Sequence, residues 1–299
     1  MSASMINLVY WDESNFGDIL SPFIVHALSG KKIIYKEGNR GICHLIKQLL
    51  KKIITLKFDS IKSLLFPYEE NLLGVGSIIK LGNRCSFIWG SGFMDENQPF
   101  HGGTICAVRG KFTNNKLKRM GYGECSTLGD PALLLPLIVS PSTTVEHIIG
   151  IIPHWSETDM FIQAYSKQYS IIDLRTRDIV PVVKEITSCQ YILSTSLHGI
   201  IVAHAYGIPA LWIKKGYIYT DGIKFKDYFS SVNIPLYDGF TNIDEILSSQ
   251  DNCICLFNHH YDQKIPLIKL SEIQKELLRK APFTLTDKYQ KILYDDEKL

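Results

Sequence analysis

Residues 191–213 constrain the fold most tightly. An apolar run, Tyr191-Ile192-Leu193, leads into a loop of small polar residues, Ser194-Thr195-Ser196-Leu197-His198-Gly199. An apolar helical stretch follows, stops at Gly207-Ile208-Pro209, and gives way to a second apolar run, Ala210-Leu211-Trp212-Ile213. Short apolar runs bounded by turn residues and separated by a helix-length segment predict a β-loop-α-β unit. Such a unit aims the free N–H groups and positive end of its helix beyond the first strand, a place suited to an anion. The loop at 194–199 is therefore the first candidate for an anion-handling active site.

The same rhythm recurs along the chain. A strand at 6–10 runs into Asp12-Glu13-Ser14-Asn15-Phe16-Gly17-Asp18, with a helix over 19–28. Two further strands end in the glycine turns Gly74-Val75-Gly76-Ser77 and Gly90-Ser91-Gly92. Neither turn has dinucleotide or phosphate-loop spacing, so both read as crevice walls. A strand at 105–108 carries Arg109 at its end and precedes a helix through Arg119, and Asp130 reads as the N-cap of a helix opened by Pro131. Residues 136–146 lapse into Pro, Ser and Thr, the best linker in the sequence. Then strands at 148–152 and 170–174 alternate with helices at 156–168 and 179–188. For 299 residues the expectation is an α/β protein of two Rossmann-like domains facing a cleft: 1–140, and 141–269 carrying the Ser-Leu-His-Gly loop. The charged, helical segment 270–299 is expected to return to the first.

Composition removes several function classes. With 32 Lys and Arg against 30 Asp and Glu, the net charge of +2 calls for no nucleic-acid partner. The seven cysteines form no CxxC pair, which argues against a zinc site or a disulfide framework and fits a reducing cytoplasm. No export signal opens the chain and no apolar stretch is long enough to span a bilayer. Residues 42–66 form a basic amphipathic stretch in which Leu45, Leu49, Ile53 and Leu56 recur at helical spacing among Lys47, Lys51, Lys52, Lys57 and Lys62. It reads first as a surface helix on its own domain, and alternatively as a contact with an anionic membrane surface.

Several residues carry two readings. Asp18 is either the acid that suits a helix start or a carboxylate facing the ligand crevice. Arg109 is either a salt-bridge partner or a fork for carboxylate or phosphate. His26 and His204 lie in apolar runs and read as core, whereas His154, Asp173 and His198 fall at strand ends.

The ordered set Asn15-x-Gly17-Asp18, Gly90-Ser91-Gly92, Val108-Arg109 with Thr113, Gly129-Asp130-Pro131-Ala132, Pro153-His154, and Thr195-Ser196-Leu197-His198-Gly199 followed by Gly207-Ile208-Pro209 resembles the polysaccharide pyruvyl transferase family. The resemblance spans about residues 6–215. It implies a glycosyltransferase-B-like fold that moves the enolpyruvyl carbons of phosphoenolpyruvate onto a sugar of a surface polysaccharide, or of its lipid-linked repeat, as a pyruvate ketal. The family's phosphoenolpyruvate-binding Arg and His match Arg109 and His198, with Ser196, Leu197 and Gly199 beside the latter. Many members have Arg where Ser196 stands and Asp where Gly110 stands. Lys214 or Lys215 is the candidate replacement for the missing arginine. Asn15, Gly17, Gly90, Ser91, Gly92 and Asp130 then fall to the cleft or acceptor side.

Pyruvyl transfer needs cationic groups and N–H donors for two anionic groups, a proton for the methylene carbon and a base near a sugar hydroxyl. Arg109 and His198 suit the first need, His198 or His154 the second and Asp18 the third. No metal or cofactor is expected. A glycosyltransferase using a nucleotide sugar is the alternative on the same fold, although no DxD pair stands near a strand end. A non-catalytic sugar-binding module is the third reading.

Overall fold

The computed structural model describes residues 4–38, 46, 50, 69–215 and 222–294. The basic stretch predicted over 42–66 falls outside these, residues 46 and 50 excepted.

The first sheet contains β1 (Met5–Val9), β2 (Lys32–Lys36), β3 (Asn71–Leu73), β4 (Ser86–Trp89) and β5 (Thr104–Ala107). Its order is β2-β1-β3-β4-β5 and every pairing is parallel. The central strands read as unbroken apolar runs because a parallel sheet is covered on both faces: Leu8, Leu72, Leu73, Ile88 and Trp89 are closed to solvent. The second sheet contains β6 (His147–Ile152), β7 (Ser170–Ile171), β8 (Cys189–Ser194) and β9 (Ala210–Trp212), all parallel, in the order β7-β6-β8-β9. In both sheets the chain leaves two adjacent strands in opposite directions, β1 and β3 in the first, β6 and β8 in the second. Such switch points open a crevice beyond the strands' carboxyl ends.

The helices follow the apolar spacing. α1 (Phe16–Ser29) buries Phe16, Ile19, Leu20, Ile24, Val25 and Leu28 at intervals of one helical turn or less. It starts earlier than the sequence predicts, because Asn15 is extended at φ −139° and its side chain accepts the Gly17 N–H at 3.0 Å. Asp18 is thus released from capping. α2 (Lys111–Arg119) follows β5, and a 3-10 helix, Pro131–Leu137, starts as predicted at Asp130, whose Oδ1 accepts the Ala132 N–H at 2.9 Å. In the second half α3 (Thr158–Tyr165), α4 (Ile179–Thr187) and α5 (Leu197–Ala205) alternate with the strands, followed by α6 (Ile223–Ser231), α7 (Ile243–Ile246) and α8 (Gln250–His259). The last segment forms α9 (Leu270–Arg279) and α10 (Asp287–Tyr294). It lies against first-half elements: the Trp89 indole donates to Leu277 O at 2.9 Å, Gln274 to Leu133 O at 2.7 Å, and Thr286 N–H to Leu28 O at 2.8 Å.

Two apolar clusters fall on one side each of the predicted linker, one around Leu73 and Ile88 and one around Ile151 and Leu193, and a third spans it. The spanning cluster joins Leu8, Leu20 and Trp89 to Leu133, Leu134, Leu135, Ile200, Ile201, Trp212 and Leu277. At about 1.5–3 kcal/mol for each fully buried large aliphatic side chain, this shared layer is a major favourable term. Polar ties cross the same boundary, among them Phe16 N–H to Leu174 O at 2.8 Å and the Arg177–Asp12 ion pair at 2.7 Å. No helix among the described residues is long and apolar enough to cross a membrane.

Candidate active site

Both switch points face one cavity of about 750 Å³. The segment after β1 supplies Trp11, Asn15 and Asp18; that after β3 supplies Gly76, Ser77 and Ile78; that after β6 supplies His154 and Trp155; and that after β8 supplies Ser196, Leu197 and His198. Lys224 completes the wall from α6.

The three hydroxyl residues before His198 have separate tasks. Ser194 Oγ takes the Ser196 N–H at 3.0 Å and donates to Ile152 O at 2.8 Å, which shapes the turn. Thr195 Oγ1 accepts the His154 N–H at 2.6 Å and donates to Glu157, tying the loop after β6 to the loop after β8. Ser196, extended at φ −99°, is the N-cap of α5 but makes no side-chain cap, and its hydroxyl has no partner among the described residues. The N–H groups of Leu197, His198 and Gly199 likewise take no partner among them; the first to bond back is Ile200, to Ser196 O at 3.3 Å. An uncapped helix start on a cavity wall offers N–H donors and a positive dipole end to an anion. Gly199 lets α5 approach the sheet, since an added Cβ would stand 2.8 Å from Ile152 Cγ2.

His198 is one of the points where the two halves touch. A Cβ on Gly17 would run into its imidazole, and its Nε2 is closed to solvent with no hydrogen-bond partner among the described residues. Burial, with Lys224 and Arg109 nearby, pushes its pKa down to about 3, so the free protein holds it neutral. Burial and Lys224 likewise push His154 down to about 4, and its Nδ1 lies 2.8 Å from Ser156 Oγ. Asp18 moves the other way. Burial raises its carboxyl to about 7 against the opposing pull of Lys224, and the carboxyl has no hydrogen-bond partner among the described residues. Lys224 is only 8% exposed, and burial and Arg109 lower its amine to about 8 against Asp18 and Glu157. Its amine lies 5.4 Å from the Phe225 ring centroid and has no hydrogen-bond partner among the described residues.

The sequence-predicted residues thus separate into two groups. Asn15, Asp18, His154, Ser196, Leu197 and His198 line the cavity, with Gly17 and Gly199 directly behind it. Arg109, Gly90, Ser91, Gly92 and Asp130 stand back as its support. Arg109 is fully buried: Nε donates to Asp227 Oδ2 at 3.0 Å, one terminal nitrogen to Phe93 O at 2.6 Å and the other to Ser77 Oγ at 2.5 Å. It is the salt-bridge partner of Asp227, and its hydrogen bond to the cavity lining among the described residues goes to Ser77. Gly92 leaves room for this guanidinium, since an added Cβ would lie 2.6 Å from Arg109 Cζ. Gly110 does the same for α6, because a Cβ there would strike the Asp227 carbonyl. Ser91 Oγ donates to Gly76 O at 2.8 Å, while Gly90, at φ 86°, packs on Pro131. Asp130 is fully buried, and burial lifts its carboxyl to about 6.

Lys214 and Lys215 stand outside the cavity lining: the first lies 5.1 Å from the Trp212 ring centroid and the second pairs with Asp244 at 2.7 Å. Asp173 is paired with Arg175. Sequence reasoning missed Lys224, whose only local signal is Gly222 two residues earlier, at φ 77° before α6.

Polysaccharide pyruvyl transferase is the family that matches residues 14–214, a span that holds Asn15 to Asp18 and Ser196 to His198 but ends before Lys224. A protein of Acanthamoeba polyphaga mimivirus, described as "Uncharacterized protein L143", is 33% identical over 198 residues, covering 63% of this chain and 69% of its own. From Asn15 at the first switch point to His198 at the second, the cavity wall is written in the matched segment, and the chain belongs to the polysaccharide pyruvyl transferase family.

Proposed function

We propose that the chain transfers the enolpyruvyl carbons of phosphoenolpyruvate to two hydroxyls of one sugar, forming a pyruvate ketal in surface-polysaccharide biosynthesis. The observation that carries this reading is the open N-terminus of α5 facing the same cavity as Lys224 and Asp18. A ligand with both a phosphate and a carboxylate suits two cationic sources in one cavity, a helix start and a buried amine.

In the reaction, C3 of phosphoenolpyruvate takes a proton as a sugar oxygen bonds to C2, and that hydroxyl's proton goes to a base. A second hydroxyl of the same sugar then bonds to C2 as the C2–O bond to phosphate breaks, and its proton passes to the departing phosphate, leaving ketal and inorganic phosphate. Asp18 is the proton donor to C3, since a carboxyl held near 7 is still substantially protonated at neutral pH, and as a carboxylate it then accepts a hydroxyl proton. Neutral His198 serves as a hydrogen-bonding group rather than as a cation. The helix start and Lys224 hold the anionic groups and favour phosphate as it leaves. Lys224 takes the part that the missing arginine and Lys214 had in the sequence reading.

The proposal extends to a glycosyltransferase-B-like disposition of the two sheets. It includes a lipid-linked acceptor that would bring the chain to the cytoplasmic face of a membrane, with 42–66 as the contact.

Thermal unfolding with phosphoenolpyruvate, inorganic phosphate, pyruvate and a panel of nucleotide sugars tests the donor. A ligand at a hundred times its Kd adds about 2.7 kcal/mol to the folded state. Phosphoenolpyruvate is expected to raise the midpoint more than phosphate or pyruvate. A rise with a nucleotide sugar and none with phosphoenolpyruvate would replace this reading with glycosyl transfer.

A further inference from the structure

We infer that Trp11 and Trp155 form a stacking platform for a pyranose ring of the acceptor glycan at the mouth of the cavity. The inference rests on the reading that the acceptor is a saccharide, and it goes beyond that reading by naming the subsite.

The chain has four tryptophans. Trp89 and Trp212 are core residues, 0% and 1% exposed. Trp11 and Trp155 are 36% and 46% exposed, and both line the cavity. They occupy corresponding places in the two halves, just beyond β1 and β6, the strands that flank the switch points. Their ring centroids are 6.0 Å apart with planes at 62°, so they form an angled wall and leave aromatic surface open. Exposure separates this rim from the depths of the site, where Lys224 is buried and His198 Nε2 is shut from water.

Both rings are held in advance of any ligand. The Asp12–Arg177 pair, at 2.7 Å, fixes the chain beside Trp11 across the two halves. Trp155 follows His154, whose N–H is bound by Thr195 and whose ring centroid lies 5.7 Å from the indole. A rigid aromatic face loses little entropy on binding and gains by burying apolar surface. A pyranose presents such surface as its axial C–H groups while its equatorial hydroxyls point outward, where Asn15 and His101, which also line the cavity, can bind them. A planar anionic donor has no comparable C–H face, which assigns the indoles to the acceptor rather than to phosphoenolpyruvate.

The test is a titration of the full chain with neutral tetrasaccharides of glucose, galactose, mannose and N-acetylglucosamine, followed by tryptophan emission and acrylamide quenching. At least one tetrasaccharide is expected to shield the exposed indoles from acrylamide. Trp11→Ala and Trp155→Ala are expected to weaken its binding about tenfold, whereas Trp11→Phe and Trp155→Phe hold it within about threefold. If an alanine variant does not fold, the quenching result and the phenylalanine variants decide. Binding unchanged in the alanine variants, no shielding on saturation, or no tetrasaccharide bound by the unmodified chain would overturn the platform. The phosphoenolpyruvate midpoint shift is measured in parallel on the unmodified chain. Its absence alongside tryptophan-dependent saccharide binding would sink the donor assignment and leave the platform standing.

Discussion

Arg109 and Asp227, 118 residues apart in sequence, are joined at 3.0 Å with both side chains closed to solvent. Asp227 lies one helical turn beyond Lys224 on α6, and its carboxylate also takes the Thr113 N–H and hydroxyl at 2.9 and 2.7 Å. The pair therefore seats α6 against the loop after β5 and sets where the Lys224 amine stands. Arg109 reaches the chemistry by holding other groups in position.

Breaking this pair is expected to cost fold before function. Arg109→Ala leaves a buried carboxylate uncompensated, and the expected loss is about 3–5 kcal/mol. Arg109→Lys is expected to recover little, because an ammonium cannot reproduce the fork to Asp227, Ser77 and Phe93. Urea unfolding of the two variants measures both losses.

Lys224→Met separates ligand binding from stability. Its amine is depressed to about 8 from 10.5, so holding it charged costs stability below that window, and the cost is relieved as pH rises through it. The variant is expected to unfold at a higher temperature than the parent at pH 6–7 and to lose most of the phosphoenolpyruvate-dependent shift. Melting curves with and without the ligand check both parts, and a retained shift would remove Lys224 from the anion site.

Asp18→Asn is expected to reduce kcat about 10²–10⁴-fold. It should also change the pH dependence of stability. The folded-state pKa is raised to about 7 from 3.8, so the side chain favours folding below about 4 and that contribution is lost as pH rises through 7. The amide does not ionise; the variant should match the parent near pH 4 and exceed it at pH 8 by on the order of 4 kcal/mol. Denaturant midpoints at the two pH values test this.

Gly17→Ala places a Cβ against the His198 imidazole and is expected to destabilise the fold by about 1–3 kcal/mol. Combining it with His198→Ala should restore part of that loss, since the clash requires both side chains. A double-mutant cycle on unfolding free energies reads the coupling, and additive losses would place Gly17 away from the imidazole.

The strand-loop-helix rhythm was legible because a parallel strand covered on both faces must be apolar along its whole length, as in Leu72-Leu73 and Ile192-Leu193. His198 was legible because its polar loop interrupts that pattern. The position of Arg109 was not, since nothing near it in sequence announces Asp227. Lys224 was hidden for the same reason: a lysine on an ordinary amphipathic helix gains its meaning only when α6 is folded over the cavity. The start of α1 was misplaced because two side chains, Asn15 and Asp18, both suit a cap and only the backbone at Asn15 selects between them. The shared core escaped notice because a Pro-Ser-Thr segment suggests a linker even where the helix leading into it, Pro131–Leu137, is buried between α1 and α5.

That shared core bears on how such a protein can be inherited. Each sheet supplies one lip of the cavity and keeps one apolar cluster of its own, yet both draw on a shared layer in which Leu133, Leu134 and Leu135 join Leu20 and Ile201. A recombination event that exchanged one half for a distant counterpart would have to match that layer residue by residue before the new cavity existed at all. A change of acceptor is therefore easier to reach through substitutions at the rim than by trading halves.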